Sequence, residues 1–245
     1  MEIKSTSNLA LIEGVKVCLY GDAGAGKTYQ ISTLERPLVI AAEKGLLTIQ
    51  HYDIPYLQID TRADWIEAKK VILDNRTNFR TIVMDSMTAF ANMQLKEITE
   101  EMKQQKNKSE KQLGWDIYGE LRRVLDETIE FFHCLHGMDS VLIFLSERIT
   151  DTDSGRTSYV PSAGSDSYSL ELAAKFDEVL ALRTKEDNGV FYRFIQTRDG
   201  DNYRAKDRSM TLSPTEYLTG SGLDGSTTVY NTLGNLIQRM RNTAY

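Results

Sequence analysis

The segment Gly21-Asp22-Ala23-Gly24-Ala25-Gly26-Lys27-Thr28 limits this chain more than any other stretch. It fits the spacing G-x-x-x-x-G-K-[ST] without a gap, follows the β-rich apolar run VKVCLY (15–20) and precedes KTYQISTL, which has helical character. Glycines let the backbone turn so that successive N–H groups converge on an anion, and a helix after the turn adds the positive end of its dipole. Lys27 is placed to reach the β- and γ-phosphates of a nucleoside triphosphate, and the Thr28 hydroxyl to join a magnesium shell. The expected ligands are ATP and Mg2+, with Tyr29 completing the set of contact residues. An incidental glycine-rich turn is the competing reading, and the strand–turn–helix context weighs against it.

Further apolar runs, PLVIAA (37–42), YLQI (56–59), RTIVMDS (80–86) and SVLIFLSE (140–147), read as strands, several of them buried on both faces. Between them DWIEAKKVILDN carries Trp65, Ala68, Val71 and Ile72 at helical spacing, and GWDIYGELRRVLDETIEFFHCLHG carries Leu121, Leu125, Ile129 and Phe132 on one stripe. Strands alternating with helices predict an α/β fold with a mainly parallel twisted sheet flanked by helices. EVLALR (178–183) and VFYRFIQTR (190–198) flank KEDNG, so a hairpin turning at Asn188-Gly189 is expected. The polar stretch ITDTDSGRTSYVPSAGSDSYS reads as a long surface loop. The expected organisation is one domain over 1–220, then a glycine-rich linker and C-terminal helix over 221–245, with Val229, Leu233, Ile237 and Met240 on one side.

Composition bounds the setting. With 245 residues, 41% hydrophobic and 26% charged, the chain has enough apolar material for a sizeable core and none of the signature of disorder. A net charge of −6 argues against a wholly basic nucleic-acid coat but leaves room for a local basic stripe. Two cysteines, Cys18 and Cys134, supply neither a metal spacing nor a disulfide framework. The start MEIKSTSNLALIEG lacks the pattern of a signal peptide, and no apolar run is long enough to span a membrane. The expectation is a cytoplasmic protein with no membrane partner.

A magnesium site beside a triphosphate needs a carboxylate at the end of a neighbouring buried strand. Asp85, closing RTIVMD, meets that need; a helix N-cap is its alternative role, one that Ser86 also fits. Hydrolysis further needs a group to orient or deprotonate the attacking water, and Glu43, just past PLVIAA, is the best placed.

Taken in order, Gly21 to Thr28, VIAAEKGL, TIVMDSMTAF and VLIFLSE resemble the core of the RecA family of P-loop recombination ATPases. More narrowly, EKGL, the GWDIYGELRR helix, FDEVLAL and AKDRS look like small phage-borne RecA-like proteins implicated in single-strand annealing and recombination. The resemblance spans roughly residues 15–212 and implies a RecA-like core, Glu43 as the water-activating residue and Asp85-Ser86 as the metal end. RecA has a γ-phosphate-sensing glutamine where this chain has Glu147, preceded by Ser146. A carboxylate there would repel the γ-phosphate unless protonated, paired with Arg148 or turned away. Ser146 is therefore the expected polar sensor, with Glu147 kept as a site candidate.

The resemblance also implies single-stranded DNA as a partner and self-assembly into a ring or filament, in the host cytoplasm if a phage encodes the chain. A single-strand-binding protein is a further expected partner. The counterparts of the DNA loops carry Lys103, Lys106, Lys108 and Lys111 against Glu110 in one, and Arg156, Tyr159 and Tyr168 in the other. A solvated helix end and core packing are the bland readings of these residues. ATP between subunits would call for a cation from the neighbour, for which Arg198, Lys206 and Arg208 are candidates. A motor or packaging-type NTPase, and a nucleotide-dependent adaptor that scarcely hydrolyses ATP, are the alternative functions.

Overall fold

The computed structural model describes residues 13–104, 110–152 and 155–242. Six strands form a parallel sheet in the order β3 (Tyr56–Gln58), β2 (Pro37–Ala41), β4 (Thr81–Asp85), β5 (Asp139–Thr150), β1 (Lys16–Gly21) and β7 (Glu178–Asp187). Beyond β7 the sheet continues antiparallel through β8 (Val190–Gln196), β10 (Thr215–Gly222) and β11 (Thr227–Val229). β6 (Thr157–Pro161) adds to the end of β5, and β9 (Lys206–Asp207) to the start of β7.

The central strands β1, β2, β4 and the first half of β5 are buried almost throughout because both of their faces are covered. Alternate residues divide between two cores. Cys18, Tyr20, Ile82, Met84, Leu142 and Phe144 face one side, under α2 (Arg62–Asn75), α3 (Met87–Lys103), α4 (Glu110–His133) and α5 (Asp166–Leu172). Val17, Leu19, Val83, Val141 and Ile143 face the other, under α1 (Lys27–Ile31) and α6 (Leu233–Asn242). The helical stripes bury as their spacing predicts: Trp65, Ala68 and Ile72 on α2, and Leu121, Leu125, Ile129 and Phe132 on α4. Trp65 stacks on Phe132 at 5.8 Å between ring centroids and meets Phe90 edge-on. Asn188 and Gly189, with φ of 50° and 75°, make the β7–β8 turn expected of an Asn-Gly pair.

Two stretches differ from the sequence reading. The polar segment over residues 149–169 is no continuous loop: β5 runs on to Thr150, its Ser146–Thr150 pair with Thr157–Pro161 as an antiparallel ribbon, and Asp166–Leu172 is helical. β-branched Ile149, Thr150, Thr157 and Val160 suit paired strands, a signal diluted by the serines and aspartates around them. The glycine-rich tail segment likewise ends β10 and turns into β11 within the same sheet. After it, α6 docks on α1: the Leu233 N–H donates to Gln30 Oε1 at 3.0 Å and that of Gly234 to Thr33 Oγ1 at 3.1 Å. Leu233, Ile237 and Met240 are buried in this chain's own core, whereas Val229 is exposed on β11. Among the described residues no helix is long and apolar enough to cross a membrane.

Candidate functional site

β1 delivers the glycine-rich segment to the edge of the sheet where the parallel strands end. Gly24 and Gly26 take φ of 78° and 102°, the left-handed region that side chains avoid, which lets the loop close over the start of α1. Lys27 is buried beneath it and donates to the carbonyls of Gly21 at 2.7 Å and Asp22 at 2.8 Å. Burial lowers its pKa, against the opposing pull of Asp85, Glu43 and Asp22. Its ammonium thus has backbone oxygens but, among the described residues, no carboxylate in direct contact. Tyr29, half-exposed, turns its ring edge-on to Tyr52, 6.3 Å away.

Asp85 ends β4, separated from β1 by β5, and its Oδ2 accepts from Thr28 Oγ1 at 2.9 Å. Burial pushes the Asp85 carboxyl up to about 6, opposed by the Thr28 hydrogen bond. Ser86 caps α3 by accepting the Ala89 N–H, so the capping and carboxylate roles fall to different residues. This pair of hard oxygen donors, hydroxyl and carboxylate, suits magnesium, which takes one or two protein oxygens and completes its shell from phosphates and water. Among the described residues no group of three or more His, Cys, Asp or Glu side chains could hold a metal alone. Glu43 stands exposed just past β2, whose Ala41 is level with Asp85, and its charge acts on both Lys27 and Asp85.

Midway along β5, where it passes the end of β1, Leu145 is level with Gly21. The next residue, Ser146, has a buried hydroxyl with no hydrogen-bond partner among the described residues. Glu147 is turned away instead, accepting from Ser169 Oγ at 3.2 Å on α5. The structure therefore gathers Lys27, Thr28, Glu43, Asp85 and Ser146 at one edge.

The other candidates scatter. Lys206 donates to the Ala173 carbonyl at 2.8 Å and Arg208 pairs with Asp177 at 2.8 Å, both beside the start of β7 at the opposite end of the sheet. Arg198 is exposed. Lys103 and Lys111 are exposed on either side of residues 105–109; Lys106 and Lys108 lie outside the described residues. Arg156 is exposed at the tip of the β5–β6 ribbon. Tyr159 is stacked on Tyr203 with centroids 4.5 Å apart, and Tyr168 is buried, donating to Asp126 at 2.7 Å. Tyr168 is therefore a packing residue. Sequence reasoning passed over Arg193, which lies against Gly26; the alternation in VFYRFIQ assigns it a face without revealing what that face meets.

A model of the AAA domain family matches residues 13–209. The SPbeta prophage-derived uncharacterized protein YorG of Bacillus subtilis (strain 168) is 26% identical over 144 residues, covering 57% of this chain; the chain spans 43% of that protein's length. Among solved structures, a KaiC-like protein from Pyrococcus horikoshii OT3 aligns over 90% of this chain and 94% of its own, at 16% identity and a TM-score of 0.44. The RadB recombinase aligns over 84% and 87%, at 14% identity and a TM-score of 0.45.

Proposed function

The chain belongs to the AAA domain family, and on that premise we propose that it is a magnesium-dependent, RecA-like ATPase, encoded by a phage, that binds single-stranded DNA and promotes annealing or recombination. The observation that carries the ATPase part is the contact of Thr28 with Asp85 beside the buried Lys27. Lys27 would leave its two carbonyls to meet the triphosphate, Thr28 and Asp85 are the residues that would hold magnesium, and Ser146 would offer the γ-phosphate a hydroxyl that has no hydrogen-bond partner among the described residues. Bound magnesium supplies neutralisation of the phosphate charge. Glu43 orients and deprotonates the attacking water from the exposed side of the site.

The prophage origin of the YorG relative supports phage encoding. Exposed Lys103, Lys111 and Arg156 supply cations for a phosphate backbone, and exposed Arg198 is the candidate cation for a neighbouring subunit's nucleotide. Single-strand binding measured from low to high salt, with and without ATP, tests the DNA part. Affinity should fall steeply with salt and respond to ATP; indifference to both would remove DNA from the reading. Glu43→Gln tests the chemistry: turnover should drop by about 100-fold or more while ATP binding persists. Unchanged turnover would favour the adaptor.

A further inference from the structure

The β7–β8 hairpin runs past the edge at which β1 becomes the phosphate loop. Ala181 of β7 is level with Tyr20 of β1, and β7 continues to Asp187. Arg193 of β8 pairs with Thr184, three residues beyond Ala181, hence about 10 Å farther along at ordinary strand rise. Alternation places Arg193 on the same face as Leu182 and Ile195, the face that α1 covers. A Cβ built on Gly26 would stand 3.4 Å from Arg193 Nε and 3.5 Å from its Cδ. The guanidinium carbon lies 5.2 Å from the centroid of the Phe191 ring, which backs it.

Arginines of the β7–β8 hairpin and the segment after it are committed to carboxylates: Arg183 to Asp201 at 3.0 Å and Arg204 to Asp199 at 3.3 Å. Arg193 forms no ion pair among the described residues, although it lies beside a loop built to receive an anion. Level with it on β10, Thr219 has a buried hydroxyl without a hydrogen-bond partner among the described residues.

We propose that Arg193 is a phosphate-contacting residue of the nucleotide site, acting from within the same chain, and that the hairpin forms one wall of that site. A permanently charged planar fork beside converging N–H groups suits phosphate oxygens and makes charge-assisted hydrogen bonds to them. This inference rests on the triphosphate reading of the glycine-rich loop. It also gives the site a cation that does not depend on a neighbouring subunit.

The test is equilibrium titration of the full chain with ATP, GTP, ADP and AMP, comparing wild type with Arg193→Gln and Arg193→Lys, alongside thermal unfolding without nucleotide. Arg193→Gln should weaken ATP and GTP alike by about tenfold, ADP less and AMP least, with Arg193→Lys restoring part of the loss. Unfolding temperatures should agree, showing that the loss is not one of folding. Unchanged ATP affinity in Arg193→Gln, or a loss confined to adenine nucleotides, overturns the assignment while leaving the loop's role intact. A wild-type chain that binds none of the four overturns the triphosphate reading and Arg193 with it.

Discussion

The two ends of the parallel sheet both bury charge but treat it differently. Where the strands begin, Asp139 is wholly buried: its Oδ1 accepts the Val15 N–H at 3.0 Å and its Oδ2 faces Arg241 at 3.5 Å and Arg80 at 3.7 Å. Lys16 beside it donates to the carbonyls of Leu135 and Met138, and Arg241 also reaches Glu35. Helix α6, the last described element, thus ties the start of β5 to the segment after α1. Where the strands end, among the described residues, the Lys27 ammonium hydrogen-bonds only carbonyls of its own loop, the Asp85 carboxylate only Thr28, and the Ser146 hydroxyl nothing. One end answers its buried carboxylate with two arginines of the chain, held at ion-pair rather than hydrogen-bond distance, whereas at the other end such pairing is missing among the described residues.

Removing a charge should therefore cost folding at one end and binding at the other. Asp139→Ala leaves two arginines and a buried N–H without their carboxylate, and urea unfolding should show a loss of about 3–5 kcal/mol. A loss under about 1 kcal/mol would mean that the pairing is incidental. Lys27→Ala should weaken ATP binding by about 100-fold, roughly 2.7 kcal/mol, while the unfolding temperature without nucleotide stays level or rises because a partly desolvated ammonium is gone. Equal damage to folding would erase the contrast between the ends.

The binding end was largely legible in the sequence because a contiguous motif and strand-end carboxylates encode it. Gly21 to Thr28 needs only local chain geometry, and a continuous apolar run ending in Asp85 or followed by Glu43 places each residue at a strand end. The end where the strands begin was not legible. Val15, Arg80, Asp139 and Arg241 are far apart along the chain and meet only because strand order and α6 bring them together. Arg193 escaped for the same reason: period-two alternation assigns its face, but its neighbour Gly26 follows from the strand order β8-β7-β1. The β5–β6 ribbon was hidden by polar residues that an edge pairing tolerates and a loop also favours.

Glu178 sharpens the comparison, since it is a carboxylate at the end where the strands begin that has no ion pair among the described residues. It is buried at the start of β7, accepts the Ser209 N–H at 3.0 Å, and faces Asp207 across the β7–β9 pair. Burial, reinforced by Asp207 and Asp177, pushes its carboxyl from the ordinary 4.5 up to about 8. The folded state thus favours the protonated form, so its contribution to stability is complete below pH 4.5 and is lost as pH rises through about 8. Glu178→Gln stays neutral, can still accept from Ser209 and can donate to Asp207. At pH 4, below the ordinary carboxyl pKa, the variant should unfold within a few tenths of a kcal/mol of wild type. At pH 8.5 it should be more stable by on the order of 2 kcal/mol, less than the full shift implies because an ionised carboxylate relaxes toward water. Identical pH profiles for the two proteins would show that Glu178 stays ionised and that the end where the strands begin accommodates its charge after all.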